Sequence, residues 1–568
     1  MAGERVVFLG NCQAYALALA YRGHFAPDRE QVVHCVDAQQ ILEPTGRKHL
    51  EEADIIVVQQ FDFPSKVTAK NVRSRVKLLG FPMVTGGWLW PYGGQAHPRN
   101  EPLPSLPSGP YPDELGDRFL NRMILQGVNE TEALERYLAL DIVRETSLDR
   151  LVEMQLRRQR ARDQETGFDI AGVIETHFSE RRLFLTPSHY NLRIFGAMAR
   201  GVFSQFEISQ TDIDTVLARL RATPFPTEEL PLHPAVAAHY GIEDAGANER
   251  YSFRYEGTFT FTEYVRRYMR CEWNSHLQEG IFLSGRAEPN AAFSVLQLGL
   301  ATSPRAIMGH RTTSAVLTRI GRHDEAEAAA RRAITLDCED PESYVSLARA
   351  LAASGRLPEA EVAARMAVRI APEHAASHRV LAEIMGRGGH MPEAVQAARD
   401  AVRVLPGDAR SQSLLGDYLT RTGDFDGAVV VFRRAVKCGG APAAMLPWFA
   451  EALAGQHRYD DAARELRAGL DLDPDNTALH RALGRMLARQ NDFLGAETSL
   501  RNAIALEPDS PLAHQELGAL FARQGRWDQA IGAGREAVRC DPSNPQLHSA
   551  LGHYLLRKND VEGAEPCF

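Results

Sequence analysis

Eight alanines, Ala326, Ala360, Ala394, Ala428, Ala462, Ala496, Ala530 and Ala564, recur at an unbroken spacing of 34 residues. A second series, Ala333, Ala367, Ala401, Ala435, Gly469, Ala503 and Ala537, keeps the same phase, as does a third, Pro372, Pro406, Gly440, Pro474, Pro508 and Pro542. Each period also holds a large apolar residue followed by a small one, from Leu347-Ala348 and Leu381-Ala382 through Leu415-Gly416, Phe449-Ala450, Leu483-Gly484 and Leu517-Gly518 to Leu551-Gly552. A fixed period of this length marks a supersecondary unit that buries its apolar face only by stacking on its neighbours. Small residues at two positions let paired helices approach closely. Segments such as Gly423-Asp424-Phe425, Asn491-Asp492-Phe493 and Gly525-Arg526-Trp527 reverse the chain. The proline then closes each second helix, because it cannot continue one.

This pattern resembles the tetratricopeptide repeat, a helix-turn-helix of 34 residues. In that register residues 307–568 hold seven full units, from Ile307 to Asn544, and an eighth that starts at Pro545 and stops at Phe568 inside its second helix. A solenoid ends in a polar capping helix, so this end predicts a truncated chain or a cap supplied by a partner. The resemblance implies an all-α superhelix whose concave surface takes a protein or peptide, or one that serves as a scaffold or oligomerisation arm.

The whole chain, 568 residues, is too long for one core, and about two to four compact units are expected. With 64 Lys+Arg against 73 Asp+Glu and a net charge of −9, it lacks the basic field of a dedicated nucleic-acid binder. No basic segment followed by an apolar stretch opens the chain, and the apolar run Ala14 to Tyr21 is far short of a membrane span. Seven cysteines, Cys12, Cys35, Cys271, Cys338, Cys438, Cys540 and Cys567, are odd in number and never in CxxC spacing, which argues against a disulfide framework and against a zinc site. A reduced, cytoplasmic protein without a metal is expected.

Residues 1–290 carry no repeat. Apolar runs at Val6 to Leu9, Asp54 to Val58, Phe81 to Val84 and Leu183 to Leu185 alternate with helical patterns, which predicts an α/β domain with a largely parallel sheet. Ligands of such sheets collect at the carboxyl ends of the strands, and the unusual residues lie there. Gly10-Asn11-Cys12-Gln13 stands where the first strand turns into a helix. A cysteine at a helix N-terminus has its thiolate favoured by the dipole, and Asn11 and Gln13 offer amide donors to an oxyanion; equally, the cysteine is a small residue packed beneath the turn. Thr186-Pro187-Ser188-His189-Tyr190-Asn191 follows the fourth run. His189 there is a candidate general base with Asn191 or another polar group orienting it, or belongs to a plain capping loop. Gln59-Gln60 ends the second strand, so two amides are expected to face the same crevice as Cys12.

Together with Ala53-Asp54-Ile55-Ile56-Val57-Val58, Leu183-Phe184-Leu185, His233-Pro234-Ala235-Val236 and Phe261-Thr262-Glu263-Tyr264-Val265, these motifs resemble the WcbI-type capsular polysaccharide biosynthesis family over residues 5–270. The resemblance implies acyl transfer from acetyl-CoA to a sugar hydroxyl, with Cys12 and His189 as the central pair. The Gly-Asn-Cys start is also similar to the Gly-Asp-Ser start of SGNH-type esterases, but those place an aspartate three residues before the histidine and position 186 is threonine. Acyl removal from a sugar, and a non-catalytic adaptor whose N-terminal domain binds a nucleotide-like ligand, are the alternatives.

No phosphate-cradling glycine motif is present, so coenzyme A would have its phosphates met by scattered basic residues, nearest in sequence Arg22, His24, Arg181, Arg182 and Arg193. Gly86-Gly87-Trp88-Leu89-Trp90-Pro91-Tyr92-Gly93-Gly94 combines backbone freedom with flat aromatic faces and leads into six prolines between Pro98 and Pro112, either a lid or a structural excursion. Gly285 to Asn290 reads as a linker, with a capping helix over 291–306. The basic run Arg157-Arg158-Gln159-Arg160-Ala161-Arg162 is a solvated helix face or a contact for an anionic partner or membrane surface.

Overall fold

The computed structural model describes residues 4–37, 43–60, 76–180, 182–220, 229–253, 255–286, 288–437 and 443–565. The chain forms two compact units, Met1–Gly388 and Gly389–Phe568.

The first unit opens with β1 (Arg5–Gly10), followed by α1 (Cys12–His24), β2 (Val32–Asp37), β3 (Ile55–Gln60) and β4 (Lys77–Pro82). The strands are parallel in the order β2-β1-β3-β4. The apolar run of β1 is continuous because both of its faces are covered. Val6 and Phe8 pack with Val57, Phe81, Tyr21 of α1, and Phe195, Met198 and Phe203 of the helix Leu192–Ser204. Val7 and Leu9 pack on the opposite face with Val36, Ala53 and Ile56.

Two strand assignments change. Val32–Asp37 is a strand that the apolar-run reading passes over, because His34 and Cys35 interrupt it. Leu183 to Leu185 is not a strand: Pro187 lies in a tight loop in which the Leu185 amide donates to the His189 carbonyl at 2.8 Å and the Asn191 amide to the Leu183 carbonyl at 2.8 Å, leaving only the bridge Phe184↔Tyr190.

The aromatic segment after β4 is core. Trp88 and Leu89 are each 3% exposed, Trp88 meets Phe184 edge-on, and the Trp90 ring nitrogen donates to the Pro231 carbonyl at 3.1 Å. Trp90 and Tyr92 are partly buried against the same core, which ties the segment down as the excursion reading expects. The proline-rich stretch delivers Tyr111, fully buried, into a second apolar cluster with Phe119, Tyr137, Phe253, Phe261 and Tyr268. His233 and Phe261 hold this region: the His233 ring caps the helix Pro234–Tyr240, and Phe261–Arg270 starts on a Thr260/Glu263 capping box.

Gly285-Arg286 is the turn between two closely packed helices, Ser275–Ser284 and Pro289–Thr302; Ala287 lies outside the described residues. That pair leads into Ile307–Ile320/His323–Leu336 and Pro341–Ala353/Leu357–Ile370, and then into Ala375–Arg387. In the second unit Met391–Val404 is followed by the pairs Ala409–Arg421/Phe425–Lys437, Leu446–Gly455/Tyr459–Leu472, Thr477–Arg489/Phe493–Leu506 and Pro511–Arg523/Trp527–Cys540, then Pro545–Arg557 and Val561–Ala564. The repeated alanines do what their size suggests: Ala326, Ala360, Ala394, Ala428, Ala462, Ala496 and Ala530 are all 0% exposed between paired helices. A further periodic device joins units. Ring nitrogens of His310, His378, His480, His514 and His548 meet the carbonyl of the proline six residues earlier at 2.8 to 2.9 Å, and Gln412 substitutes for histidine in the same role.

No helix among the described residues is long and apolar enough to cross a membrane. Nor do the described residues gather three or more His, Cys, Asp or Glu side chains able to hold a metal ion.

Candidate functional site at the carboxyl ends of β1 and β3

From β1 the chain moves to β2 on one side and later returns to β3 on the other, which opens a crevice at the carboxyl ends of β1 and β3. Gly10 ends β1 and Asn11 caps α1, its side-chain oxygen accepting from the Gln13 amide at 2.9 Å. Gly10 is required there: a Cβ would lie 2.6 Å from Gln59 Oε1 and 2.8 Å from Ala14 Cβ.

Gln13 is a clamp. Its Nε2 donates to the Val84 carbonyl at 2.6 Å and the Ser188 carbonyl at 2.9 Å, while its Oε1 accepts from the Val84 amide at 3.2 Å and Gln59 Nε2 at 2.9 Å. Gln59 Oε1 in turn accepts from the Asn11 amide at 3.0 Å. Both side chains are 0% exposed. An amide has four hydrogen-bonding positions, and all four of Gln13 are occupied within the protein. Gln13 and Gln59 therefore join four chain segments instead of offering donors to an oxyanion. Gln60 does not share their side, because successive strand residues face opposite ways; it lies toward Gly80, and its Oε1 is buried without a hydrogen-bond partner.

The same clamp brings the histidine loop to the start of α1. Gly86 donates to the Pro187 carbonyl at 2.9 Å, and a Cβ at Gly86 would sit 2.2 Å from the Phe184 ring, so this loop too needs a glycine beside it. Within the loop His189 is 8% exposed, and its Nδ1 stands 3.0 Å from Thr186 Oγ1. Thr186, fully buried, is thus the side chain that orients the imidazole. Asn191 is not: its oxygen caps the helix Leu192–Ser204 through the Arg193 and Ile194 amides, and its nitrogen donates to the Arg182 carbonyl at 3.0 Å. Ser188 donates to Glu114 Oε1 at 2.6 Å, which sets a carboxylate from the end of the proline-rich stretch beside the loop.

Cys12 is electrostatically the reverse of the thiolate reading and fits the packed one. Burial pushes its thiol up to about 12, with the Glu114 carboxylate and Asp37 adding to the effect, and these outweigh the lowering by the Gln13 and Cys12 amides. At neutral pH the group is a thiol. Burial, with Cys12 as neighbour, also raises the Tyr190 hydroxyl, which lies at the same place.

The basic residues do not converge here. Arg22 and His24 lie ten and twelve residues along α1, about 15 to 18 Å from Cys12 at 1.5 Å per residue. Burial, then Arg219, hold His24 down to about 4. Arg182 is 3.8 Å from both Glu229 and Asp244 and lies 4.5 Å over the Tyr251 ring. Arg193 contacts His177 Nδ1 at 2.6 Å and Glu180 at 3.5 Å. Arg181 lies outside the described residues. Arg182 and Arg193 are engaged within the protein, and exposed Arg22 lies at a distance from Cys12 that the extended pantetheine arm of coenzyme A spans.

Sequence reasoning missed Glu114, which follows the prolines in no motif, and the role of Thr186, whose signal was its place three residues before His189.

Residues 5–211 match a family described as polysaccharide biosynthesis enzyme WcbI, and the His233 and Phe261 segments lie beyond that match. Residues 317–375, 381–443, 449–497 and 487–545 match the tetratricopeptide repeat. No curated protein matches the chain. Among solved structures it is similar to the APC/C hetero-tetramer Cut9-Hcn1, at 13% identity and TM-score 0.39 over 49% of this chain and 55% of that one, so it spans about half of that relative's length. It is also similar to a tetratricopeptide repeat protein from Parabacteroides merdae, at 13% identity and TM-score 0.37 over 44% of this chain and 98% of that one. A third is YrrB, described as a TPR protein with an unusual peptide-binding site, at 16% identity and TM-score 0.26 over 33% of this chain and 96% of that one. The chain thus joins a WcbI polysaccharide biosynthesis domain, over residues 5–211, to a C-terminal array of tetratricopeptide repeats.

Proposed function

We propose that the N-terminal domain transfers an acyl group to a sugar hydroxyl during assembly of a polysaccharide, with acetyl-CoA as the donor, and that the repeats recruit a protein partner or the acceptor. The observation that carries this reading is the buried His189, oriented by Thr186 and tied by Gln13 to the N-terminus of α1. His189 takes the proton of the attacking hydroxyl as the C–O bond forms and returns it to the sulfur of coenzyme A as the thioester C–S bond breaks, a role worth about 10²- to 10⁴-fold. With the Asn11 and Gln13 amides taken by Gln59 and Asn11, the Cys12 amide and the dipole at the start of α1 receive the developing negative charge on the carbonyl oxygen.

A thiol held up to about 12 supports direct transfer over a covalent acyl-cysteine, with Cys12 as a contact residue. The resemblance to the family supports coenzyme A as donor. Thr186 stands where SGNH-type esterases place an aspartate, and this departure counts against the esterase reading.

Calorimetric titration of acetyl-CoA and of CoA into the full chain tests the donor. Binding near ~1 μM is the expected result. A folded chain that binds neither removes acetyl-CoA from the account, release of acyl groups to water without CoA identifies an esterase, and binding without turnover on any acceptor identifies an adaptor.

A further inference from the structure

In the second unit the first helices of successive repeats lie side by side, and one of them, Thr477–Arg489, carries Arg481, Arg485 and Arg489 four residues apart on a single face. Two carboxylates from the neighbouring first helices answer them. Glu516 takes both Arg481, at 3.1 and 3.0 Å, and Arg485, at 2.9 Å; Glu451 takes Arg485 and Arg489, each at 3.2 Å. Arg523, one period beyond Arg489, adds a fourth guanidinium that is exposed, and its contact is with the Phe493 ring at 5.8 Å. Four cations thus face two anions. The Arg485 Nε is moreover buried without a hydrogen-bond partner.

An arginine at the end of a helix is favoured by the dipole alone, and Arg421, Arg523 and Arg557 satisfy that rule. The rule does not account for Arg481 and Arg485 on earlier turns, nor for the space between them. A cavity of about 190 Å³ opens here. Its floor is small and apolar, made by Gly484, Ala488 and Ala519 with Leu500 and Leu520; Arg485, Arg489 and Arg523 also line it, as does Glu516, whose carboxylate is already held by Arg481 and Arg485.

Resting on the reading that the repeats recruit a protein partner, we infer that this groove binds an acidic peptide segment, seating one apolar side chain on the floor while flanking carboxylates meet Arg489 and Arg523. The surplus of guanidinium calls for carboxylate, which arginine grips bidentately. The apolar floor selects a peptide over an anionic polysaccharide, because a sugar ring brings hydroxyls that this floor cannot hydrogen-bond.

The test is fluorescence anisotropy on the full chain with a labelled peptide of sequence Glu-Asp-Leu-Glu-Asp. Binding is expected that weakens about tenfold or more in Arg523→Glu and falls with added salt. The peptide Gln-Asn-Leu-Gln-Asn and the peptide with serine at the central position are both expected to lose binding. Ala519→Leu, which fills the floor from an exposed position, is expected to lose it without touching a charge, so the outcome does not hang on one variant. No binding by the folded wild-type chain would overturn the proposal, as would binding indifferent to both substitutions. Equal binding of the serine peptide would overturn the apolar seat. Binding of polygalacturonate, abolished by Arg523→Glu, in place of the peptide would reassign the groove to a polysaccharide.

Discussion

The polar side chains at the β1/β3 crevice and those on the first helices of the second unit are built on opposite principles. All four hydrogen-bonding positions of Gln13 have partners inside the protein, so it holds its segments rigidly and ties the His189 loop to the start of α1. Around Arg485 the charges do not balance and one guanidinium nitrogen is buried unpaired. A fully satisfied network rigidifies its segments, and the surplus of charge around Arg485 is what the proposed peptide would answer. Both regions are rich in polar residues, and residue type alone does not separate them.

The largest effect expected from breaking this contrast is at the clamp. Gln13→Ala strands the Val84 amide and two carbonyls in a dry site, and a loss of roughly 3 to 5 kcal/mol is expected in denaturant unfolding. Arg523→Ala, by the same measurement, is expected to change stability by less than about 0.5 kcal/mol. Similar losses from the two would erase the distinction.

Thr186→Val keeps the shape of the buried side chain and removes the oxygen from His189. Transfer is expected to fall by about tenfold to a hundredfold with an altered pH profile, and Thr186→Ser to restore it. An unchanged pH profile in the valine variant would make Thr186 merely structural.

A smaller effect belongs to Asp117, which burial raises to about 6. Its folded value exceeds its unfolded one, so its contribution to stability is complete below the unfolded pKa and is lost as pH rises through about 6. His24 and His97, both held by burial down to about 4, act in the other direction: their contributions are present above about 6.5 and lost as pH falls through 4. Comparing parent with Asp117→Asn between pH 4 and 7 isolates the first slope, expected to be on the order of 2 kcal/mol. Identical pH dependence would contradict it.

The smallest expected change is at Cys12. Iodoacetamide at pH 8, followed by mass spectrometry, is expected to label exposed Cys338 well before Cys12. Faster labelling of Cys12 would restore the reactive thiolate.

The repeats were legible because one solution is written many times: seven buried alanines at one spacing leave little freedom. The crevice is written once. Its strand-end motifs could be found by type and position, but what each side chain does there is set by partners 46 to 175 residues away. Gln13 and Gln59 looked like ligand contacts because an amide's partners cannot be read from its neighbours in sequence. The separation of Gln59 from Gln60 was legible in principle, from the alternation of a strand. Reversal of the Cys12 expectation required burial and Glu114, neither of which the tetrapeptide reveals.

The most direct test of the account is acetyl transfer from acetyl-CoA to a polysaccharide acceptor by the full chain, measured for the wild type, Cys12→Ser and His189→Ala. The account predicts a loss of about 10²-fold or more in His189→Ala and a change within about tenfold in Cys12→Ser. Full activity in His189→Ala, or a trapped acyl-cysteine with none in Cys12→Ser, would contradict it.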